Sequence, residues 1–467
     1  MGVLIGSAKL LPLEGDYVIE INSLATDVFE NQLKELQAIL RQEAKTLCPE
    51  SVASTPLPPF QTINHIIPLK DENKVYKFQP LRCPEKLRPL FKQKACEYLD
   101  SGRWELATGS NAIPMLFLPK KKLDGEIALR TVLNKCEQND NTIKLALLLP
   151  FQDEILLKIS AYPYKSVLNG KDAYKQIRVE EKDVPKTLFH TPLGTMVSQV
   201  MQQGDCNTGA TYQQLMNHLF SAHIGVFMYV YLDNIIIFSN TIKEHVSHIR
   251  AILNILEQEK FYLSPKKMQF FTKEINLLGH VINKKGIKMD PHKVHSIKKW
   301  KTPTTKEQVA SYIGALGYLA PNCKGIRQPM AILSKCASGT GQFCWEGTQE
   351  QAFKETKQIV VKHRDTHWVA LDYTTNAAPV HLITDASLTG TSGVLTQGKV
   401  WKESSVIAFW SGKFDLAQQN YPVHDCGALA TMLLLKKFEP ILQGIHFEIL
   451  TDHCALEHLT TQKNLNQ

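Results

Sequence analysis

Residues 228–240, "MYVYLDNIIIFSN", set one carboxylate and one amide, Asp233 and Asn234, between two apolar runs. Apolar runs meeting at a short polar tip read as a buried β-hairpin with a two-residue polar turn. Asp and Asn are favoured turn formers, which is one sufficient account of the pair. A carboxylate on such a tip is also an oxygen ligand for a hard divalent cation. An amide supplies only one neutral carbonyl, beside an NH₂ that turns a cation away. Asp385 in "ITDAS" and Asp452 in "LTDH" stand at the ends of further strand-like runs and admit the same two readings.

Cationic chemistry is concentrated in one place. Residues 264–301 carry ten lysines against Glu274 and Asp290, which accounts for the whole net charge of +8. Lys266, Lys267, Lys284, Lys285, Lys298 and Lys299 are its candidates for contact with a polyanion. A solvated helix face is the alternative.

The elements that must position these residues follow from pattern. "ENQLKELQAILRQEAKTL" reads as a helix, and "PESVASTPLPPF", with four prolines, as a linker. "NAIPMLFLPKKKLDGEIALRTVLNK" reads as strand, basic turn at Asp124-Gly125, and strand. "TIKEHVSHIRAILNILEQEK" opens with a capping box from Thr241 to Glu244, then places Val246, Ile249, Leu253 and Leu256 on one face. Asp290-Pro291 and Thr304 to Glu307 signal two more helix starts. "VHLITDAS", "SGVLTQG", "SSVIAFWSGKF" and "HFEILTDH" read as strands, with "HDCGALATMLLLKKFEPIL" as a helix. A length of 467 residues calls for two to four domains, and 43% hydrophobic with 21% charged residues are globular values. No apolar run is long enough to span a membrane, and no signal peptide is expected. Ten scattered cysteines without a C-x-x-C pair suggest reduced thiols inside a cell.

In order and wording, "SVLNGKDAYKQIRV", "MVSQVMQQGDCNTGATYQQLMNHLF", the hairpin and "LLGHVINKKGIKMDPHKV" resemble the polymerase core of reverse transcriptases from gypsy-type LTR retrotransposons. The fungal elements are the nearest in wording. "INHIIPL", "LRCPEKLRP", "SGRWELATGSNAIPM" and "TPTTKEQVASYIGALGYL" fit the same family. "ITDAS", "AQQNYPVHD" and "LTDHCALEHL" resemble its RNase H domain. The resemblance implies an α+β chain with a right-hand fingers–palm–thumb polymerase fold, followed by an incomplete RNase H-like mixed α/β domain. It divides the sequence into an N-terminal lead-in and linker (1–60), fingers and palm (61–285), a thumb-like or connection region (286–378), and a truncated RNase H-like domain (379–467).

The same resemblance assigns roles. Asn169, Asp233 and Asn234 occupy the positions of three acids that hold two Mg²⁺ ions for nucleotidyl transfer. Asp172, three residues past Asn169, is expected on the opposite strand face and so is no replacement. Asp385, Gly427 and Asp452 occupy three of the four acidic RNase H positions, the fourth being expected beyond residue 467. Asp233, Asp385 and Asp452 are thus the remaining metal ligands. Arg130 matches a triphosphate-contacting arginine, accompanied by one of Lys120, Lys121 or Lys122, with Lys121 carried forward. Tyr174 matches the aromatic beside the sugar 2′ position, and Gln203-Gly204 the nucleotide-pocket pair. Asn134 and Cys136 depart from the family's usual Asp and Arg. The implied partners are an RNA/DNA primer-template and deoxynucleotides, with no membrane. Three acids replaced by Asn169, Asn234 and Gly427 lead us to expect an impaired or inactive enzyme. Residual activity after deamidation of Asn169-Gly170, a non-enzymatic nucleic-acid-binding protein, and a relic without a selected role are the rival expectations.

Overall fold

The computed structural model describes residues 15–76, 82–121, 127–283, 285–338, 342–387, 390–415 and 417–451. The chain forms two compact units, Met1–Pro150 with Tyr164–Thr272, and Phe151–Pro163 with Lys273–Gln467. The strands from Ile275 onward pair with one another in the second unit.

The first unit holds two sheets. One has three antiparallel strands, with Asn234–Ser239 between Tyr164–Asn169 and Met228–Tyr231. Its central strand is covered on both faces, so Ile235, Ile236, Ile237 and Phe238 are all fully buried. An uninterrupted apolar run is what such a strand requires. The helices Thr208–Leu219 and Ile242–Gln258 contribute Leu215, Met216, Ile249 and Leu256 to the core beneath it. The expected capping box is present: Thr241 Oγ1 accepts from Glu244 N–H and the Glu244 carboxylate accepts from Thr241 N–H, each at 3.2 Å. Thr241→Ala should lower unfolding stability by about 1 kcal/mol, read from the urea midpoint at unchanged slope.

The second sheet of this unit orders five strands as Trp104–Leu106, Gly194–Ser198, Phe189–Thr191, Ile113–Lys121 and Ile127–Leu133. Ile113–Lys121 and Ile127–Leu133 pair antiparallel as the sequence suggested, and the Asp124-Gly125 turn lies outside the described residues. The lead-in proves to be part of the core. Leu40, Ala44 and Leu47 pack with Leu168, Ile237 and Phe270. The buried Arg103 guanidinium donates to the carbonyls of Thr55 and Pro56, fastening the proline-rich segment.

The second unit contains a three-stranded meander, with His280–Asn283 between Ile275–Leu277 and Gly286–Met289. Helices Pro291–Lys299, Lys306–Leu319, Arg327–Ser338 and Gly347–Lys362 follow, around Tyr312, Leu316 and Phe353. The cap of Lys306–Leu319 is Thr305 and not Thr304: its hydroxyl accepts from Gln308 N–H, while Thr304 donates to the Gln308 side chain. A four-stranded sheet orders Ser405–Lys413, Gly390–Gln397, Val380–Ser387 and Phe447–Thr451, the last pair parallel. Helix Val423–Leu442 lays Leu434, Phe438 and Leu442 against Leu382, Leu395 and Ile407. No helix among the described residues is long and apolar enough to cross a membrane.

Candidate active site

The turn of the 228–240 hairpin is Leu232-Asp233, one residue earlier than its polar pair suggested. Asn234 opens the second strand, opposite both Tyr231 and Asn169. Leu232 sits in the left-handed region at φ 50°, a conformation that costs a side-chain-bearing residue about 1–2 kcal/mol. Gln213, 1% exposed, offsets this: it accepts from Leu232 N–H at 2.8 Å and donates to the Val230 carbonyl at 3.0 Å.

The strand register brings Asn169, Asp233 and Asn234 into one hydrogen-bonded set. Asn169 Nδ2 donates to Asp233 Oδ2 at 2.9 Å and to Asn234 Oδ1 at 3.1 Å. Asn234 Nδ2 donates to Asp233 Oδ1 at 3.4 Å. Lys267 Nζ donates to Asn169 Oδ1 at 3.1 Å. Because an ammonium only donates, the Asn169 oxygen must face Lys267 and its NH₂ must face the hairpin. Segment 264–269 is held in place by Ser264 N–H to the Asn169 carbonyl and by reciprocal Val167–Gln269 backbone bonds, all at 2.8 Å. Gly170 N–H is likewise occupied, donating to the Asp233 carbonyl at 3.0 Å.

Tyr174 and Tyr212 meet edge-to-face with ring centroids 5.8 Å apart. Burial, and secondarily the negative charge of Asp233, raises both phenol pKa values. Tyr212, which the sequence analysis did not single out, is a buried core residue of Thr208–Leu219. Asp172 is off the strand altogether. At φ 44° it precedes the Ala173–Gln176 turn, and its charge acts on Lys94, Lys175 and Tyr98.

The donor set does not fit a pair of divalent cations. All four side-chain oxygens of the three residues already accept internal donors, and Asp233 is the sole anion among them. Mg²⁺ prefers several anionic oxygens in near-octahedral array. Here Lys267 bonds Asn169, and its formal charge and that of Asp233 sum to zero across the set. Among the described residues no group of three His, Cys, Asp or Glu is arranged to hold a metal.

The other sequence candidates lie on several elements. Arg130 is exposed on Ile127–Leu133, opposite Leu118, in the five-stranded sheet. Gly204 is required by close approach: at φ 117° a Cβ would lie 2.8 Å from the Leu133 carbonyl oxygen. Gln203 is exposed beside a cavity of about 30 Å³ that Tyr98, Thr131 and Lys175 also line. Asp385 is exposed near the end of Val380–Ser387, and Gly427 lies buried in Val423–Leu442, its carbonyl accepting from Thr431 Oγ1 at 3.1 Å. Asp452, Lys284 and the Lys121 side chain lie outside the described residues. Of the lysine-rich stretch, Lys266 and Lys267 belong to the first unit, Lys285, Lys298 and Lys299 to the second. Lys267, an exposed residue, bonds Asn169.

Two buried clusters were not anticipated. Asp205 takes Lys135 Nζ at 3.2 Å and lies 3.4 Å from His65 Nε2. Burial opposes that carboxylate's charge, but Lys135 and His65 prevail and hold its pKa below the ordinary range. His245 bonds Ser166 Oγ and Ser239 Oγ, both at 2.8 Å. Burial, with His248 adding to it, pushes its imidazole pKa down to about 3. The unfolded chain, with a histidine pKa of about 6.5, therefore takes up the proton first. The contribution to stability is complete above about pH 6.5 and is lost progressively as pH falls towards 3. Urea midpoints at about pH 7.5 and pH 5 measure this, and His245→Gln should shrink the difference between them.

Two family models match parts of the chain. Residues 128–282 match the family described as reverse transcriptase (RNA-dependent DNA polymerase), and 375–467 the RNase H-like domain found in reverse transcriptase. The chain carries a reverse transcriptase domain followed by an RNase H-like domain. Its curated relatives include the retrovirus-related Pol polyprotein from transposon 297 of Drosophila melanogaster, 28% identical over 407 residues, covering 86% of this chain and 37% of the relative. The transposon Tf2-7 polyprotein of Schizosaccharomyces pombe is 26% identical over 436 residues, covering 93% of this chain and 32% of the relative. The chain thus spans about a third of the length of these relatives. In fold it is similar to a foamy viral protease-reverse transcriptase solved with double-stranded DNA, at TM-score 0.75 and 18% identity, covering 98% of this chain and 80% of that one. A foamy viral protease-reverse transcriptase solved with an RNA/DNA hybrid gives TM-score 0.70 and 19% identity, covering 93% and 58%.

Proposed function

We propose that this reverse transcriptase, of gypsy-type LTR retrotransposon origin, binds primer-template duplexes but carries a polymerase centre that no longer supports two-metal nucleotidyl transfer. The observation behind this reading is the closed hydrogen-bond set of Asn169, Asp233, Asn234 and Lys267, in which amide N–H groups and one ammonium occupy the oxygens a metal pair needs. Duplex binding is supported by the fold shared with proteins solved on double-stranded DNA and on an RNA/DNA hybrid. Arg130, Tyr174, Gln203 and Gly204 are the nucleotide-side residues on this reading, and Lys298 and Lys299 candidates for phosphate contact. On the RNase H side Asp385 is exposed on its strand, and the motif's helix position is Gly427, which has no ligand to offer.

Deamidation is a poor route back to activity. It requires Gly170 N to attack the Asn169 side chain, but that N–H is bonded to the Asp233 carbonyl and Asn169 is 4% exposed with its NH₂ held twice. Peptide mapping of aged protein should return Asn at 169. The functional test pairs filter binding to an RNA/DNA hybrid with primer extension in Mg²⁺. Duplex binding that weakens steeply with salt, without extension, is the expected result. Template-dependent extension by the wild type overturns the reading of the centre, and salt-insensitive or absent binding overturns the reading of the surface.

A further inference from the structure

Helices Arg327–Ser338 and Gly347–Lys362 of the second unit pack together and carry two thiols between them. Cys336 lies in the last turn of the first helix, and Cys344 just ahead of the second. The Cys336 thiol donates to the Cys344 carbonyl at 3.1 Å. Cys344 stands between Phe343 and Trp345, whose rings stack with centroids 6.2 Å apart and pack against the core around Leu333 and Phe353. Those two rings anchor the Cys344 backbone beside the helix end. A disulfide joins Cα atoms about 4.4–6.8 Å apart, and a thiol that already touches its partner's own carbonyl has reach on that scale. Cys344 is exposed and Cys336 half-buried, so a small molecule in solvent can approach the pair.

The Cys344 thiol is held by an acid. It donates to Glu346 Oε1 at 3.1 Å, and that bond, with the carboxylate's charge, raises its pKa. Glu346 is itself fixed as the N-cap of Gly347–Lys362, its N–H donating to the Gln349 side chain at 3.1 Å. Thiolate is the attacking species in disulfide exchange, so Cys336, which bonds a neutral carbonyl, is the one to attack first. We propose that Cys336 and Cys344 form a redox-active dithiol whose substrate is a low-molecular-weight disulfide such as glutathione disulfide. Cys336 gives up its proton and attacks one glutathione sulfur, and the other glutathione leaves as a thiolate that takes up a proton. Cys344 then turns off Glu346, loses its proton and attacks the Cys336 sulfur of the mixed disulfide, releasing the second glutathione. The protein pair is oxidised by two electrons and the glutathione pair reduced by two. The bridge closes residues 336–344 and ties the end of one helix to the start of the other.

Equilibration of the full chain in glutathione redox buffers, followed by acid quench, alkylation and tryptic mapping, tests this. Cleavage after Lys335 and Lys354 leaves both cysteines in one peptide, 336–354, which should return unalkylated and two hydrogens lighter than its reduced form. The bridging equilibrium constant against glutathione should be at least about tenfold larger in the folded chain than in urea, because closing this short ring stabilises the fold. Cys344→Ser should instead hold one glutathione at Cys336. Glu346→Gln, which removes the charge that keeps Cys344 protonated, should speed bridging several-fold. A peptide that carries two separate glutathiones, or that bridges no better folded than unfolded, overturns the inference. A Cys336 that stays unmodified in Cys344→Ser, or a bridging rate indifferent to Glu346→Gln, overturns the order of attack. No nucleic acid enters the assay, so the duplex-binding proposal stands or falls separately.

Discussion

The double variant Asn169→Asp, Asn234→Asp should unfold below the wild type in chelator and recover in millimolar Mg²⁺. The two substitutions remove the amide N–H groups that Asp233 accepts, at 2.9 and 3.4 Å, and put carboxylate oxygens in their place. Three like charges then share a pocket in which Asn169 is 4% exposed. Leaving buried charge uncompensated costs about 3–5 kcal/mol, and partial exposure of Asp233 and Asn234 puts the expectation near the lower figure. For a unit of this size about 3 kcal/mol corresponds to roughly 6–12 °C in Tm. Metal that binds only the folded form restores about 2.7 kcal/mol at a hundred times its Kd. The wild type, already neutral at this point, should show the same Tm in EDTA and in Mg²⁺. Adding Lys267→Met to the double variant should deepen the loss in chelator and tighten the Mg²⁺ response, because the competing ammonium is gone. A wild-type Tm that rises with Mg²⁺, or a double variant indifferent to it, would contradict the account.

The second large effect is on rate. In primer extension on an RNA template the wild type should give no product above background, and the double variant should exceed it by at least about 10²–10³, the scale lost when one preorganised group is removed from a transition-state site. Each single reversion should stay near the wild type, because a metal pair needs both carboxylates in addition to Asp233. A single reversion as active as the double would show that the lost charge at the other position does not matter.

Sequence pattern conveyed the elements well where one periodicity dominated. The apolar run after Asn234 became the central strand, and Thr241 with Glu244 became a capping box. It misjudged details set by contacts that pattern does not encode. The turn fell at Leu232-Asp233, since Gln213, 19 residues earlier, rescues an unfavourable leucine conformation. The N-terminal helix was legible, but its role in the core was not: Gln37 and Arg41 bond the carbonyls of Phe270 and Met268, more than 220 residues away. Lys267 read as one more cation in a basic run, because its bond to Asn169 spans 98 residues. The two amides beside Asp233 are plain in the sequence, but their closure into one set with Lys267 depends on contacts 64–98 residues apart in the chain.

The most direct measurement is the number of divalent ions at the hairpin, counted by Mn²⁺ electron paramagnetic resonance titration of the wild type against Asp233→Asn. Superimposable titrations are predicted, since a neutral, internally bonded cluster has no anionic cage to give up. Two tightly held ions that disappear in Asp233→Asn would show that the cluster opens to accept metal, and would contradict the central claim.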